Sequence, residues 1–162
     1  MLGLVPGIHV LMGAASRKTW MAGMNPAMTG QQMTNRLFVY GTLMRGYPHR
    51  MADELARHAT YEGRAAFRGR LYLVKTYPGI VASDGTSDLV HGDVYALRNA
   101  DYLQKLDSYE GCGPDAEEPA QYRRAVQQVT MDGTSIDAWI YLYNGPVEKL
   151  TQIHSGRFSP RD

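Results

Sequence analysis

Short apolar segments separated by turn residues make up most of the chain after residue 35. Several of these segments are rich in Tyr and β-branched residues, which is typical of strands. The pattern predicts strands over Leu37–Tyr40, Ala59–Ala66, Phe67–Val74, Ile80–Ala82, Leu89–Leu97, Tyr122–Met131 and Ile136–Tyr143. Asp132-Gly133, between the last two, is a strong hairpin turn signal.

Only two segments have apolar residues at helical spacing. The first is HRMADELARH, which places Met51, Leu55 and His58 on one face and follows Pro48, a residue suited to a first helical turn. In the second, Tyr102, Leu103 and Leu106 recur at helical spacing between a capping Asn99 and a stop near Gly111. We expect the polar tail from Asn144 onward to lie on the surface.

Six or seven short strands with two helices predict an α+β fold. A small mixed sheet, curled or closed into a β-barrel and flanked by the two helices, fits this content better than a doubly wound parallel sheet. Tyr77-Pro78-Gly79 predicts a turn, and Gly92 inside a strand predicts a bulge or a close approach. The mouth of such a barrel is a common place for a ligand.

The first 35 residues differ in composition from the rest. They contain no Asp or Glu, and Arg17 and Lys18 are their only Lys or Arg residues. Because they show no sustained periodicity, we expect residues 1–35 to lie outside a single domain of residues 36–162. The segment is a poor signal peptide and too broken for a membrane span. A natural extension, a start codon assigned too early and residues introduced by cloning all remain open.

The overall charge excludes two classes of partner. The 162-residue chain is 44% hydrophobic and 20% charged with a formal net charge of +1, so no strong field attracts nucleic acid or anionic membrane.

Cys112 is the only cysteine, which excludes an internal disulfide and a zinc site of several cysteines and favours a reducing cytoplasm. The five histidines lack the paired spacing of metal ligands, so we predict no metal and no cofactor.

Glu110 is the strongest candidate for chemistry. At the end of the second helix it can point into a pocket where desolvation raises its pKa, so that it takes up and returns a proton near neutral pH. The alternative is a solvated residue at a helix terminus. Gly41-Thr42, directly after the first strand, would leave amide N–H groups free to form a small anion-binding concavity, although a plain connection fits the same residues. Cys112 and Tyr122 are weaker candidates.

Several short motifs occur together in one order along residues 36–143. They are Phe38-Val39-Tyr40-Gly41-Thr42-Leu43 with Arg45-Gly46, Tyr77-Pro78-Gly79, His91-Gly92-Asp93-Val94-Tyr95, Leu106-Asp107-Ser108-Tyr109-Glu110-Gly111 and Tyr122-Arg123-Arg124. This combination resembles the gamma-glutamylcyclotransferase-like superfamily. It is most similar to the bacterial branch that also resembles gamma-glutamylamine cyclotransferases and plant avirulence-induced (AIG2-like) proteins.

The resemblance implies a reaction and roles for particular residues. In that family a gamma-glutamyl compound attacks its own side-chain carbonyl with its α-amine, closes to 5-oxoproline and releases an amine, without metal or cofactor. Carried over by motif, Tyr40, Gly41, Thr42 and Leu43 hold the glutamyl moiety, Glu110 is general base and then general acid, and Tyr122 lines the pocket. His49-Arg50 departs from the Asn-His common among relatives, so the rim of the pocket differs.

Two further interpretations remain open. The same barrel would also serve as a non-catalytic module that binds a metabolite, or would support a different acid–base reaction on an amide. The leaving amine is equally open, whether from glutathione, a gamma-glutamyl amino acid, an isopeptide or a polyamine conjugate. The sequence does not indicate the oligomeric state.

Overall fold

A computed structural model describes residues 34–114 and 116–159. Seven strands and two helices follow one another as β1 (Arg36–Val39), α1 (Arg50–His58), β2 (Ala59–Leu73), β3 (Pro78–Ala82), β4 (Leu89–Leu97), α2 (Tyr102–Glu110), β5 (Tyr122–Met131), β6 (Thr134–Tyr143) and β7 (Thr151–Gln152). The predicted α+β class, the mixed sheet and the two helices are confirmed. Neither helix of the described residues is long and apolar enough to cross a membrane.

Five strands close into a barrel. They follow the order β2-β4-β1-β6-β5, and the pairing of Ala66 in β2 with Thr130 in β5 completes the circle. All pairs are antiparallel except β1 with β6, which is parallel, so the sheet is mixed. Apolar side chains from every barrel strand fill the interior, among them Phe38, Phe67, Val94, Val129 and Ile140.

Strand β2 corrects the prediction of two separate strands over Ala59–Ala66 and Phe67–Val74. It is continuous over 15 residues, because no turn residue interrupts it at residues 66 and 67. What changes along β2 is its partner: residues 59–68 pair with β4, whereas residues 69–73 pair with β3. The long strand therefore links the barrel to a small outer sheet that includes β3 and β7.

The ends of the helices explain two further corrections. Helix α1 begins at Arg50 with His49 as its N-cap, whose side chain accepts the Met51 N–H at 3.1 Å, so Pro48 precedes the first turn rather than lying within it. Helix α2 begins after Asp101, and Asn99 instead accepts the Asp101 N–H across a preceding turn. The predicted stop is confirmed, since Gly111 adopts φ 71° and closes the end of α2.

The tail from Asn144 onward is not only a surface segment. Its residues Thr151–Gln152 pair with β2, and Phe158 is buried in the barrel core. The expected leader, residues 1–35, lies outside the described residues except for its last two. Thr34 donates to the Asp137 carbonyl and Asn35 to the Leu97 carbonyl, which attaches these two residues to β6 and β4.

Candidate functional site

A cavity of about 630 Å³ opens where β1 ends, β3 and β5 begin and α2 ends. This volume lies in the range of small-molecule sites. The cavity brings together the six residues predicted for the site, which are Tyr40, Gly41, Thr42, Leu43, Glu110 and Tyr122. Residues that come from distant parts of the sequence therefore face one space.

The Tyr40–Leu43 segment forms one wall of the cavity. Within the described part of the chain, the N–H groups of Gly41, Thr42 and Leu43 donate to no protein acceptor. Gly41 is required here because a Cβ at this position would lie 2.6 Å from Cγ of Pro78. The segment thus lines the cavity and has backbone N–H groups that no described acceptor engages, and the anion-binding role predicted for them stays a prediction.

The next residues fix the position of this wall. The Met44 N–H donates to the Gly41 carbonyl at 3.0 Å, and the Arg45 N–H donates to Oδ2 of Asp93 at 2.8 Å. Asp93 is buried in β4, and its Oδ1 accepts the Tyr61 hydroxyl at 3.3 Å. A buried carboxylate therefore connects the loop after β1 to the barrel.

Glu110 is the last residue of α2 and lies on the cavity wall, partly exposed. Burial raises the pKa of its carboxyl from 4.5 to about 7, because desolvation disfavours the charged form. A carboxyl that titrates near neutral pH can both accept and donate a proton under physiological conditions. The sequence prediction of a raised pKa at this position agrees with this environment.

A polar network holds the end of α2 against the barrel. Asp107, three residues before Glu110, accepts the Tyr141 hydroxyl at 2.7 Å and forms an ion pair with Arg124 at 3.2 Å. The Arg124 guanidinium lies over the Trp139 ring, 4.6 Å from its centroid. This network joins α2 to β5 and β6, and so fixes the position from which Glu110 reaches the cavity.

The two predicted tyrosines use their hydroxyl groups within the protein. Tyr40 donates to the Tyr141 carbonyl at 2.6 Å, and Tyr122 donates to the Pro78 carbonyl at 2.7 Å. Burial raises the pKa of both hydroxyls well above the usual value, so they remain protonated. Both residues therefore line the cavity as parts of its wall, with their hydroxyl groups engaged by the protein backbone.

The rim of the cavity contains residues that were not predicted as site residues. Tyr109 lies beside Thr42, with 3.3 Å between their hydroxyl oxygens, and its ring is 5.9 Å from that of His49. On the other side Tyr77 and Gln121 exchange hydrogen bonds, Nε2 of Gln121 donating to the Tyr77 hydroxyl at 3.0 Å. Two of these residues could have been predicted from their sequence neighbours, since Tyr109 directly precedes Glu110 and Gln121 directly precedes Tyr122.

Cys112 is a poor nucleophile in this environment. Burial and the neighbouring Asp107 raise the pKa of its thiol to about 12, so the thiolate is scarce at neutral pH. Its Sγ points to Oδ1 of Asp107 at 3.8 Å. Cys112 thus lies next to the network that supports α2 and does not line the cavity.

The sequence and the fold are similar to those of known proteins. A family described as "Gamma-glutamyl cyclotransferase, AIG2-like" matches residues 37–160. The gamma-glutamylcyclotransferase family protein ytfP of Citrobacter rodentium is 36% identical over 130 residues, which cover 78% of this chain and 97% of that protein. Human gamma-glutamylaminecyclotransferase is 37% identical over 106 residues, which cover 59% of this chain and 61% of the human protein.

Solved structures have the same architecture. The solution structure of ytfP from Escherichia coli has a TM-score of 0.53 at 32% identity and covers 78% of this chain and 98% of that one. The crystal structure of a mouse AIG2-like protein has a TM-score of 0.54 at 24% identity, with 81% and 99% covered. The second likeness concerns the fold alone.

Proposed function

This chain is an enzyme of the gamma-glutamyl cyclotransferase, AIG2-like family, and on that premise we propose that it cyclises a small gamma-glutamyl compound to 5-oxoproline with release of an amine. One observation carries the proposal. Glu110, whose pKa burial raises to about 7, faces the same cavity as the amide donors of residues 41–43. A proton-transfer group and an anion-binding wall therefore lie within reach of one small ligand.

The glutamyl moiety would bind against the wall formed by Tyr40, Gly41, Thr42 and Leu43. Its anionic oxygens accept hydrogen bonds from the unpaired N–H groups of this wall. Because Asp93 fixes the adjoining Arg45 N–H, these donors are held in place before substrate arrives. Tyr122 completes the pocket by packing its ring against the bound chain. Positioning matters greatly here, since nucleophile and electrophile belong to one molecule and need only be folded into contact.

Glu110 would move the protons. As a carboxylate it removes a proton from the substrate ammonium, and the free amine attacks the γ-carbonyl carbon to close a five-membered ring. Glu110 then returns the proton to the leaving nitrogen as the former amide C–N bond breaks. The ring nitrogen loses its remaining extra proton and the released amine takes one up, so the reaction consumes no net proton.

The leaving amine would occupy the rim formed by His49, Thr42, Tyr77, Tyr109 and Gln121. These side chains are aromatic or neutral hydrogen-bonding groups, together with the imidazole of His49. Groups of this kind would accept the amine of glutathione, a gamma-glutamyl amino acid, an isopeptide or a polyamine conjugate equally well, so the leaving amine stays open.

We further propose that residues 36–162 form the catalytic domain. We also propose that the enzyme acts in the cytoplasm, because the chain has a single cysteine.

The test is to incubate the purified protein with a panel of gamma-glutamyl compounds and to measure 5-oxoproline by mass spectrometry. Glu110→Gln keeps the size of the side chain but cannot shuttle a proton, so turnover should fall roughly 10²- to 10⁴-fold while substrate still binds. Glu148→Gln, an exposed position away from the cavity, is the matched control and should retain full activity.

The other interpretations predict different results. A folded wild-type protein that binds a panel compound without producing 5-oxoproline would contradict the proposal and favour a metabolite-binding module. A different product that depends on Glu110 would favour another acid–base reaction in the same cavity.

A further inference from the structure

A second cavity, of about 580 Å³, lies on the other side of the loop that follows β1. Residues of five regions line it: the loop, the middle of β2, the middle of β4, the end of β5 and the C-terminal segment. Tyr47 lines both cavities, so the loop separates them.

Three arginines from distant parts of the sequence meet at this cavity. Arg45 comes from the loop, Arg64 from β2 and Arg157 from the C-terminal segment. The barrel brings them together, since Arg64 pairs across the sheet with Asp93 of β4. The His91 N–H of the same strand donates to the Gly156 carbonyl at 2.8 Å, which places Arg157 at the cavity edge.

The described part of the chain provides no ion-pair partner for these three arginines. Among the described residues, Asp93 is the only acidic one that lines the cavity, and its two oxygens already accept the Arg45 N–H and the Tyr61 hydroxyl. The Arg45 guanidinium instead lies over the Tyr61 ring, 4.5 Å from the centroid.

His91 adds a neutral polar group to the cavity. Burial and the nearby charge of Arg157 lower the pKa of the imidazole, so its neutral form, with one donor and one acceptor nitrogen, is favoured. The cavity therefore contains three cationic side chains, one engaged carboxylate and a neutral imidazole.

We propose that this second cavity binds a small molecule that carries a phosphate or pyrophosphate group. Guanidinium groups form paired hydrogen bonds with phosphate oxygens, and several of them around one concavity are a common phosphate site. The volume suits a small metabolite, and the stacked rings of Tyr47 and Phe158, 5.7 Å apart, offer an apolar wall for the rest of the molecule. This proposal does not rest on the proposed cyclisation reaction.

The experiment measures binding of inorganic pyrophosphate to the full chain by isothermal titration calorimetry at constant ionic strength. We expect one saturable site per chain. Arg64→Gln and Arg157→Gln should each weaken binding about tenfold or more, because each removes a charge-assisted hydrogen bond. Arg123→Gln removes the same charge from an exposed position of β5 outside both cavities and should leave the affinity within about twofold.

Three results would overturn the proposal. They are no saturable binding to the wild type, unchanged affinity in both cavity variants, and an equal loss in Arg123→Gln, which would indicate diffuse attraction to surface charge. Both cavity arginines are exposed, so we expect the variants to fold, and circular dichroism melting of each variant verifies this.

Discussion

Replacing Glu110 should change the stability of the protein in a way that depends on pH. The folded state raises the pKa of this carboxyl from 4.5 to about 7, so folding favours the protonated form. The associated stability is present below pH 4.5 and is lost as the pH rises through 7. If the whole pKa difference is converted to free energy, the stability lost above pH 7 is at most about 3.4 kcal/mol. Because Glu110 faces an open cavity where water screens its charge, we expect a loss of about half that amount.

The assay is urea unfolding of the wild type and Glu110→Gln at pH 5 and at pH 8. The variant lacks the titrating group, so it should be more stable than the wild type by about 1.5 kcal/mol at pH 8 and by less than about 1 kcal/mol at pH 5, where the unfolded carboxyl has begun to ionise. Glu148→Gln, at an exposed position, should differ from the wild type by the same small amount at both values. A constant difference for Glu110→Gln at the two pH values would show that the carboxyl is hydrated and its pKa ordinary.

Three other predictions concern the site and its support. With the substrate found in the panel assay, kcat/KM should rise with pH through about 7 as Glu110 becomes the carboxylate; an acid limb near 4.5 would contradict the burial argument. Tyr141→Phe removes the 2.7 Å hydrogen bond to Asp107 and should cost about 1.5–3 kcal/mol in urea unfolding, together with a fall in kcat; unchanged stability would refute this role. Gly92→Ala places a Cβ 2.2 Å from the Val39 carbonyl oxygen and should cost more than about 2 kcal/mol, visible as a lower Tm, whereas an unchanged Tm would mean that β1 shifts freely.

The sequence was most informative where a residue has one dominant local role. Asp132-Gly133 predicted the β5–β6 hairpin, and both residues adopt positive φ in the turn. Gly111 predicted the end of α2, and it too adopts a positive φ. Gly92 predicted a bulge or a close approach, and the position of the Val39 carbonyl against Gly92 confirms the close approach. In each case the backbone geometry admits few residue types.

Features that depend on partners far along the chain were harder to predict. Periodicity shows that residues 59–74 are extended, but it does not show that β2 exchanges one partner for another without a break. Phe158 is buried in the barrel core and stacks on the Tyr47 ring, more than a hundred residues earlier in the sequence. The support of Glu110 by Asp107 and Tyr141 likewise requires α2 to pack on β6. Local patterns carry no information about such contacts.

The last turn of α2 sets the direction in which the Glu110 side chain leaves the helix. Asp107 is attached to the barrel and Gly111 ends the helix, so the three-residue step from Asp107 to Glu110 works as a fixed spacer. Since each helical residue turns the chain by about 100°, one residue inserted within this step would rotate the carboxyl away from the cavity. An insertion after Gly111 would lengthen only the connection to β5. Length variation among homologous proteins should therefore accumulate in that connection and be absent from the last turn of α2.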